Sequence, residues 1–98
     1  MINLRAEARN RPCMIRVPDH CCADPQTTVG CHVRIAGVSG AGIKSSDLFI
    51  AWGCFTCHAV VDGRQKSEFT YEQRRLMLLE GMLRTQDKLR REGKLLCE

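Results

Sequence analysis

The apolar residues of this chain follow one spacing in its first half and another in its last third. Residues 27–35, Thr-Thr-Val-Gly-Cys-His-Val-Arg-Ile, form a β-branched run with strand character. Asp47-Leu-Phe-Ile-Ala-Trp52 makes a second strand candidate. Beyond position 70 the spacing turns helical: Leu76, Leu79, Met82, Leu83 and Leu89 recur on one stripe that is expected to pack on the core. Thr70-Tyr-Glu-Gln73 has the form of a capping box, which starts this last helix at Tyr71. Between the two patterns, a shorter helix is expected to begin near Cys54 and stop at Gly63. It would carry His58 and Asp62 four residues apart, on one face.

The N-terminal third is less regular. Residues 3–10 predict a short helix that ends before Pro12, and Met14-Ile-Arg-Val17 predicts a short strand followed by a Pro18-Asp19 turn. Cys13 and Cys21 then flank a hairpin-like knuckle. Residues 36–46 form a loop with three glycines that lacks the full spacing of a P-loop, so a nucleotide site is not expected there. There is no internal repeat. A chain of 98 residues has room for one core, so residues 1–98 are expected to form a single α+β domain.

So small a core gains from a staple, and the composition supplies one. Seven cysteines are many for this length, and their odd number argues against a fully paired disulfide set. The charged opening from Met1 to Pro12 lacks the apolar run of a signal peptide, and no stretch is long enough to span a bilayer. A reducing cytoplasm is therefore expected, where clustered cysteines bind metal more often than they pair. Cys54-Phe-Thr-Cys57-His58 has the form of a c-type haem attachment site. Haem is normally attached outside the cytoplasm, so zinc is the expected group and haem is not. A thiol-redox pair would need a larger α/β frame than this chain can build.

Cys54-x-x-Cys57 together with Cys13 and Cys21 can close a tetrahedral four-thiolate shell. Cys22 stands beside Cys21, and His20 could also take that place; Cys21 is the favoured ligand. Cys31 then defaults to a small core residue and Cys97 to a terminal thiol. Two histidines remain, His32 on the first strand and His58 in the first turn of the helix after the knuckle. Strand, strand, knuckle and helix in that order match a ββα-metal core of the HNH (His-Me finger) kind. In that layout a neutral imidazole on the strand takes a proton from water, and a cation held by the helix stabilises charge on the phosphorus centre.

The chain resembles the YbcO family of small prophage-encoded nucleases. The resemblance runs from Arg11-Pro-Cys13 through Arg16, Pro18 and Cys21, then "CHVRIAGVSGAGIKSSDL", "CFTCHAVVDGR" and "LEGMLRTQ". It implies a small zinc-stabilised ββα-metal (HNH-like) fold with an added C-terminal helix. Carried over by position, His32 would be the general base, His58 the metal ligand, and Cys13, Cys21, Cys54 and Cys57 the structural zinc ligands. Many HNH nucleases place Asp or His directly before the base, as a second metal ligand, where this chain has Cys31. A thiol is a poor magnesium ligand, and Asp62 is the candidate to replace it. Asp47 or Lys44 would occupy the place of the middle asparagine.

The net charge of +4 suits an anionic partner. Arginines cluster at the N-terminal segment and along the last helix, where acidic residues are interleaved and a solvated face is the plainer reading. Arg16, Arg34, Lys44 and Arg64 are the candidates for phosphate contact. The expected activity is a metal-dependent DNA endonuclease of phage or prophage origin, acting in the bacterial cytoplasm with Zn2+ as structural ion and Mg2+ or another divalent cation for catalysis. The alternative is a non-catalytic zinc module that binds nucleic acid through its basic surface.

Overall fold

The computed structural model describes residues 3–35 and 46–95. The glycine loop with Lys44, and the terminal Cys97, lie outside them. Two antiparallel strands, β1 (Val29–His32) and β2 (Ile50–Gly53), are followed by helix α1 (Phe55–Val61) and the long helix α2 (Tyr71–Arg91). The strands pair Val29 with Gly53, Gly30 with Trp52, Cys31 with Ala51 and His32 with Ile50.

β2 is buried along its whole length, and its period of two sorts the core into halves. Ala51 faces a cluster of Cys13, Ile15, Val17, Cys31, Cys54, Cys57 and Val60. Ile50 and Trp52 face Ala8, Met14 and Leu89. The edge of β2 away from β1 is closed by other elements, as a buried edge requires. Met14 N donates to Trp52 O at 2.6 Å, and Trp52 N donates to the Thr85 hydroxyl of α2 at 3.0 Å. Thr85 in turn donates to Gly81 O, 2.8 Å away.

Thr70 and Gln73 form the expected capping box, and α2 starts at Tyr71. Its buried face, however, differs from the leucine stripe. Leu76 and Leu83 are exposed, whereas Gly81, Thr85 and Leu89 are buried, with Met77, Leu78 and Met82 packed at the margin. The reason is proximity. At Gly81 a Cβ would lie 3.1 Å from Ile15 Cα and 3.2 Å from Met14 O, so the helix seats its small residues against the N-terminal segment.

That segment also departs from expectation. Residues 3–10 contain one short 3-10 turn at Ala6–Ala8, and Met14–Val17 is not a strand. Arg16 has φ of 57°, and its N–H turns back onto Cys13 Sγ at 3.5 Å. A thiol that must be wrapped by backbone N–H groups bends the chain where side-chain alternation alone suggests extension. Among the described residues no helix is long and apolar enough to cross a membrane.

Candidate metal centre and histidine sites

The knuckle from Cys13 to Cys21 and the start of α1 converge on one point. Cys54 caps α1 through its side chain, which accepts from Cys57 N at 3.5 Å. Cys57 Sγ accepts from Val17 N at 3.4 Å, and Cys21 is held by its N–H to Val17 O at 3.0 Å. The ligand atoms of Cys13, Cys21, Cys54 and Cys57 all lie within 4.8 Å of one another. Zn–S bonds of about 2.3 Å in a tetrahedron put sulfurs roughly 3.8 Å apart. Cys21 Sγ and Cys54 Sγ, at 3.9 Å, already have that spacing.

The donor chemistry fits a soft divalent ion such as zinc. Three of the thiols are buried, and backbone N–H groups point at Cys13, Cys54 and Cys57, as they do at sulfurs that carry negative charge. Without metal, a hydrogen bond from the Cys57 thiol draws Cys13 down to about 4. Burial pushes Cys21 up to about 11, and the hydrogen bond with Cys13 raises Cys57. Cys22 is exposed beside the Thr27 hydroxyl, and His20 Nε2 lies 2.8 Å from Glu68 Oε1. The fold thus brings Cys21 into the group, with neither of its neighbours.

Cys31 points into the core, where burial pushes its thiol up to about 12. It lies on the opposite face of β1 from His32 and is no ligand for that face. His32 Nε2 lies 2.8 Å from Asp47 Oδ1, and Asp47 Oδ2 lies 3.3 Å from Arg5 Nε. On α1, His58 Nε2 lies 3.7 Å from Asp62 Oδ2, so the expected shared face is present. Burial lowers the pKa of His58, which favours the neutral, ligating imidazole. Arg64 Nε also reaches Asp62 Oδ2, at 2.7 Å. Among the described residues, the four cysteines are the group of three or more His, Cys, Asp or Glu placed to hold an ion. The two histidine–aspartate pairs remain pairs.

A family model described as "Putative nuclease YbcO" matches residues 2–94. The chain belongs to this family. It is 38% identical over 94 residues to the protein of that description from Escherichia coli (strain K12), covering 95% of this chain and 96% of the relative. The same figures hold for "Putative nuclease ybcO" of Enterobacteria phage 82. A solved structure of "a putative bacteriophage protein from Escherichia coli str. K-12 substr. MG1655" is 33% identical, with a TM-score of 0.78. The match covers 93% of this chain and all of that one.

Several cations of this YbcO-family chain are engaged within the molecule. Arg84 donates to Met14 O at 2.6 Å, Arg75 to Arg34 O, and Arg90 and Arg91 pair with Asp87. Arg11 and Lys94 share Glu7 and Glu92. The solvated-face reading thus describes much of α2. Of the candidates for phosphate contact, Arg34 is exposed, Arg16 is exposed but turns its guanidinium to Cys13 O and Met14 Sδ, Arg64 holds Asp62, and Lys44 is outside the described residues. The bond that sequence reading missed is His32 to Asp47. Fifteen residues and the hairpin loop separate the two, and only the strand register brings residue 47 back toward the end of β1.

Proposed function

We propose that this YbcO-family chain is an HNH-like endonuclease, one domain over residues 1–98, that hydrolyses phosphodiester bonds in DNA in the cytoplasm of a phage- or prophage-bearing bacterium. The observation that carries the reading is the order β1, β2, α1, with His32 on the first strand and His58 on the helix. Cys13, Cys21, Cys54 and Cys57 would hold a structural zinc, which ties the N-terminal segment to the helix start. His58 and Asp62 would hold Mg2+ or another divalent cation. Such a cation, when bound, supplies charge stabilisation at the phosphorus centre and the leaving oxygen.

The residues themselves account for the proton. Asp47 is an acceptor, so His32 donates to it through Nε2–H, and Nδ1 keeps its lone pair. Nδ1 is then the atom that takes the proton of the attacking water. Arg5 shares the carboxylate and holds it against the strand end. Exposed Arg16 and Arg34, with Lys44 and Arg64, would contact phosphates and make affinity fall with added salt. His32→Ala tests the reading directly: cleavage of plasmid or branched DNA in magnesium or manganese should drop by about 10²–10⁴ or more, with zinc content and DNA affinity retained.

A second reading is a zinc module that binds nucleic acid without cutting it. The favouring observation is that His58 and Asp62 are a pair, whereas the four thiols form a full shell. Wild type and His32→Ala that bind DNA and are equally inert on every substrate and metal would select it.

A further inference from the structure

Phe55 opens α1 and is 65% exposed, in a chain whose aromatic content is only 5%. Its backbone is nevertheless anchored on both sides. It follows Cys54 and precedes Cys57 by two residues, both fully buried thiols of the four-cysteine group. Phe55 N donates to the Thr27 hydroxyl at 3.2 Å, and that hydroxyl bonds Asp24 O at 2.9 Å. The anchor behind it is the 3-10 turn Pro25–Thr27, fixed at its first position by proline. An exposed ring on a rigid base loses little conformational entropy on binding, which is what a stacking platform needs.

Helical phase places the ring relative to the chemistry. His58 is three residues on and Asp62 seven, so Phe55, His58 and Asp62 share one face of α1. At a rise of about 1.5 Å per residue, His58 lies some 4.5 Å along the axis from Phe55 and Asp62 about 10 Å. Arg64, bound to Asp62, marks the far end of the strip. From one end to the other the face therefore offers a π surface, an imidazole, a carboxylate and a guanidinium. A nucleotide presents a base at one end and a phosphate at the other, and the net charge of +4 favours that polyanion over a second copy of the same basic chain.

We infer that Phe55 stacks on a nucleobase beside the phosphodiester bound at His58, and that the preferred substrate is nucleic acid with unpaired bases rather than intact duplex. A base in a duplex is stacked on its neighbours and its faces are closed to a side chain. A base in a single strand, flap, branch or frayed end has a face available. Stacking of this kind is tolerant of base identity, since every base has a π face. The inference rests on the reading of the His58–Asp62 face as the phosphodiester site, but its test does not require cleavage.

The test measures the affinity of wild type, Phe55→Tyr, Phe55→Leu and Phe55→Ala for a labelled single-stranded oligonucleotide and for its duplex. Zinc content and circular dichroism serve as fold controls, which an exposed position should leave unchanged. Wild type and Phe55→Tyr should prefer the single strand. Phe55→Leu and Phe55→Ala should lose roughly five- to hundredfold on the single strand and little on the duplex. A 2-aminopurine placed in the strand should be quenched by wild type and not by Phe55→Leu. Equal binding by Phe55→Leu and wild type, equal losses on both substrates, or no binding by wild type would overturn the inference. So would sedimentation showing that Phe55 instead holds two copies together. An inert protein that still shows the single-strand preference would sink the nuclease reading and leave the stacking site standing.

Discussion

His32 and Asp47 are joined by a 2.8 Å bond at the loop end of the β1–β2 hairpin, in a pair that is partly exposed at both partners. A carboxylate on Nε2 fixes the imidazole tautomer and its orientation together. Asp47→Asn keeps the shape but can donate as well as accept, so the tautomer preference weakens. The expected loss in cleavage rate is about 10- to 100-fold, the size found when the orienting partner of a functional histidine is removed. A larger effect belongs to pairs sealed from water, which this one is not. Nitrogen-correlated NMR of the His32 ring should show protonated Nε2 in wild type and a mixture in Asp47→Asn. A ring unaffected by the substitution would remove Asp47 from the role.

Metal binding at the four thiols should expel protons. At neutral pH the metal-free centre keeps Cys13 as thiolate, with Cys21 and Cys57 still protonated. Zinc must displace at least the protons of those two. Affinity then weakens as pH falls, by about a hundredfold per unit for two protons. Calorimetry in buffers of different ionisation enthalpy counts the protons, and a value near zero would contradict the proposed ligand set. Cys54→Ser should badly destabilise the fold, because metal binding and folding are coupled. Cys22→Ser, at an exposed thiol, should leave the stoichiometry at one zinc per chain.

What could be read from the sequence was what local chemistry decides. Thr70 and Gln73 cap α2 through groups three residues apart, and the spacing shows it. The two strand runs and the Cys54 helix start are equally local, and the cysteine spacing singles out the thiols that converge. The buried face of α2 was legible only in part: Met82 and Leu89 pack on the core as the stripe predicts, whereas Leu76 and Leu83 do not. Leu76 and Leu83 carry more apolar surface than Gly81 and Thr85, yet Gly81 lets the backbone of residues 14 and 15 approach and Thr85 bonds Trp52 N of β2. A count of apolar positions cannot weigh close approach. The bend at Arg16 answers to a thiol three residues back, which side-chain alternation does not register, and the His32–Asp47 bond joins residues fifteen apart.

Gly81→Ala sets two effects of similar size against each other. Alanine gains about 1 kcal/mol of helix propensity over glycine. The added Cβ would meet Ile15 Cγ1 at 3.0 Å, Ile15 Cα at 3.1 Å and Met14 O at 3.2 Å. Two of the three atoms are backbone, and Met14 is fixed by its N–H to Trp52 O and by Arg84 on its carbonyl. Overpacking of this kind costs about 1–3 kcal/mol, so the net change should be destabilising by roughly 1 kcal/mol. Chemical denaturation at constant zinc measures it. A more stable Gly81→Ala would mean that the knuckle yields.

The two ends of the described chain are clamped by Arg11, and this clamp should depend on acid and salt. Arg11 bonds Glu92 through two nitrogens at 2.5 and 2.7 Å, bonds Glu7 at 2.9 Å, and lies 4.6 Å over the Trp52 ring. The guanidinium holds the Glu92 carboxyl down at about 2, from an ordinary 4.5. A carboxyl with a folded pKa below its unfolded one stabilises fully above the unfolded value and loses that contribution as pH falls toward the folded one. The melting-temperature gap between wild type and Glu92→Gln should therefore hold from pH 7 to about 4.5 and close between about 4.5 and 2. Both proteins keep the four thiols, so release in acid of an ion held there would lower both and largely cancel in the gap. Added salt should narrow the gap at pH 7, since the pairs are near the surface. Arg11→Lys separates charge from shape: it keeps the cation but loses the planar fork and the stacking on Trp52. If charge alone sustains the clamp, Arg11→Lys will melt like wild type; the bidentate geometry requires that it melt closer to Glu92→Gln.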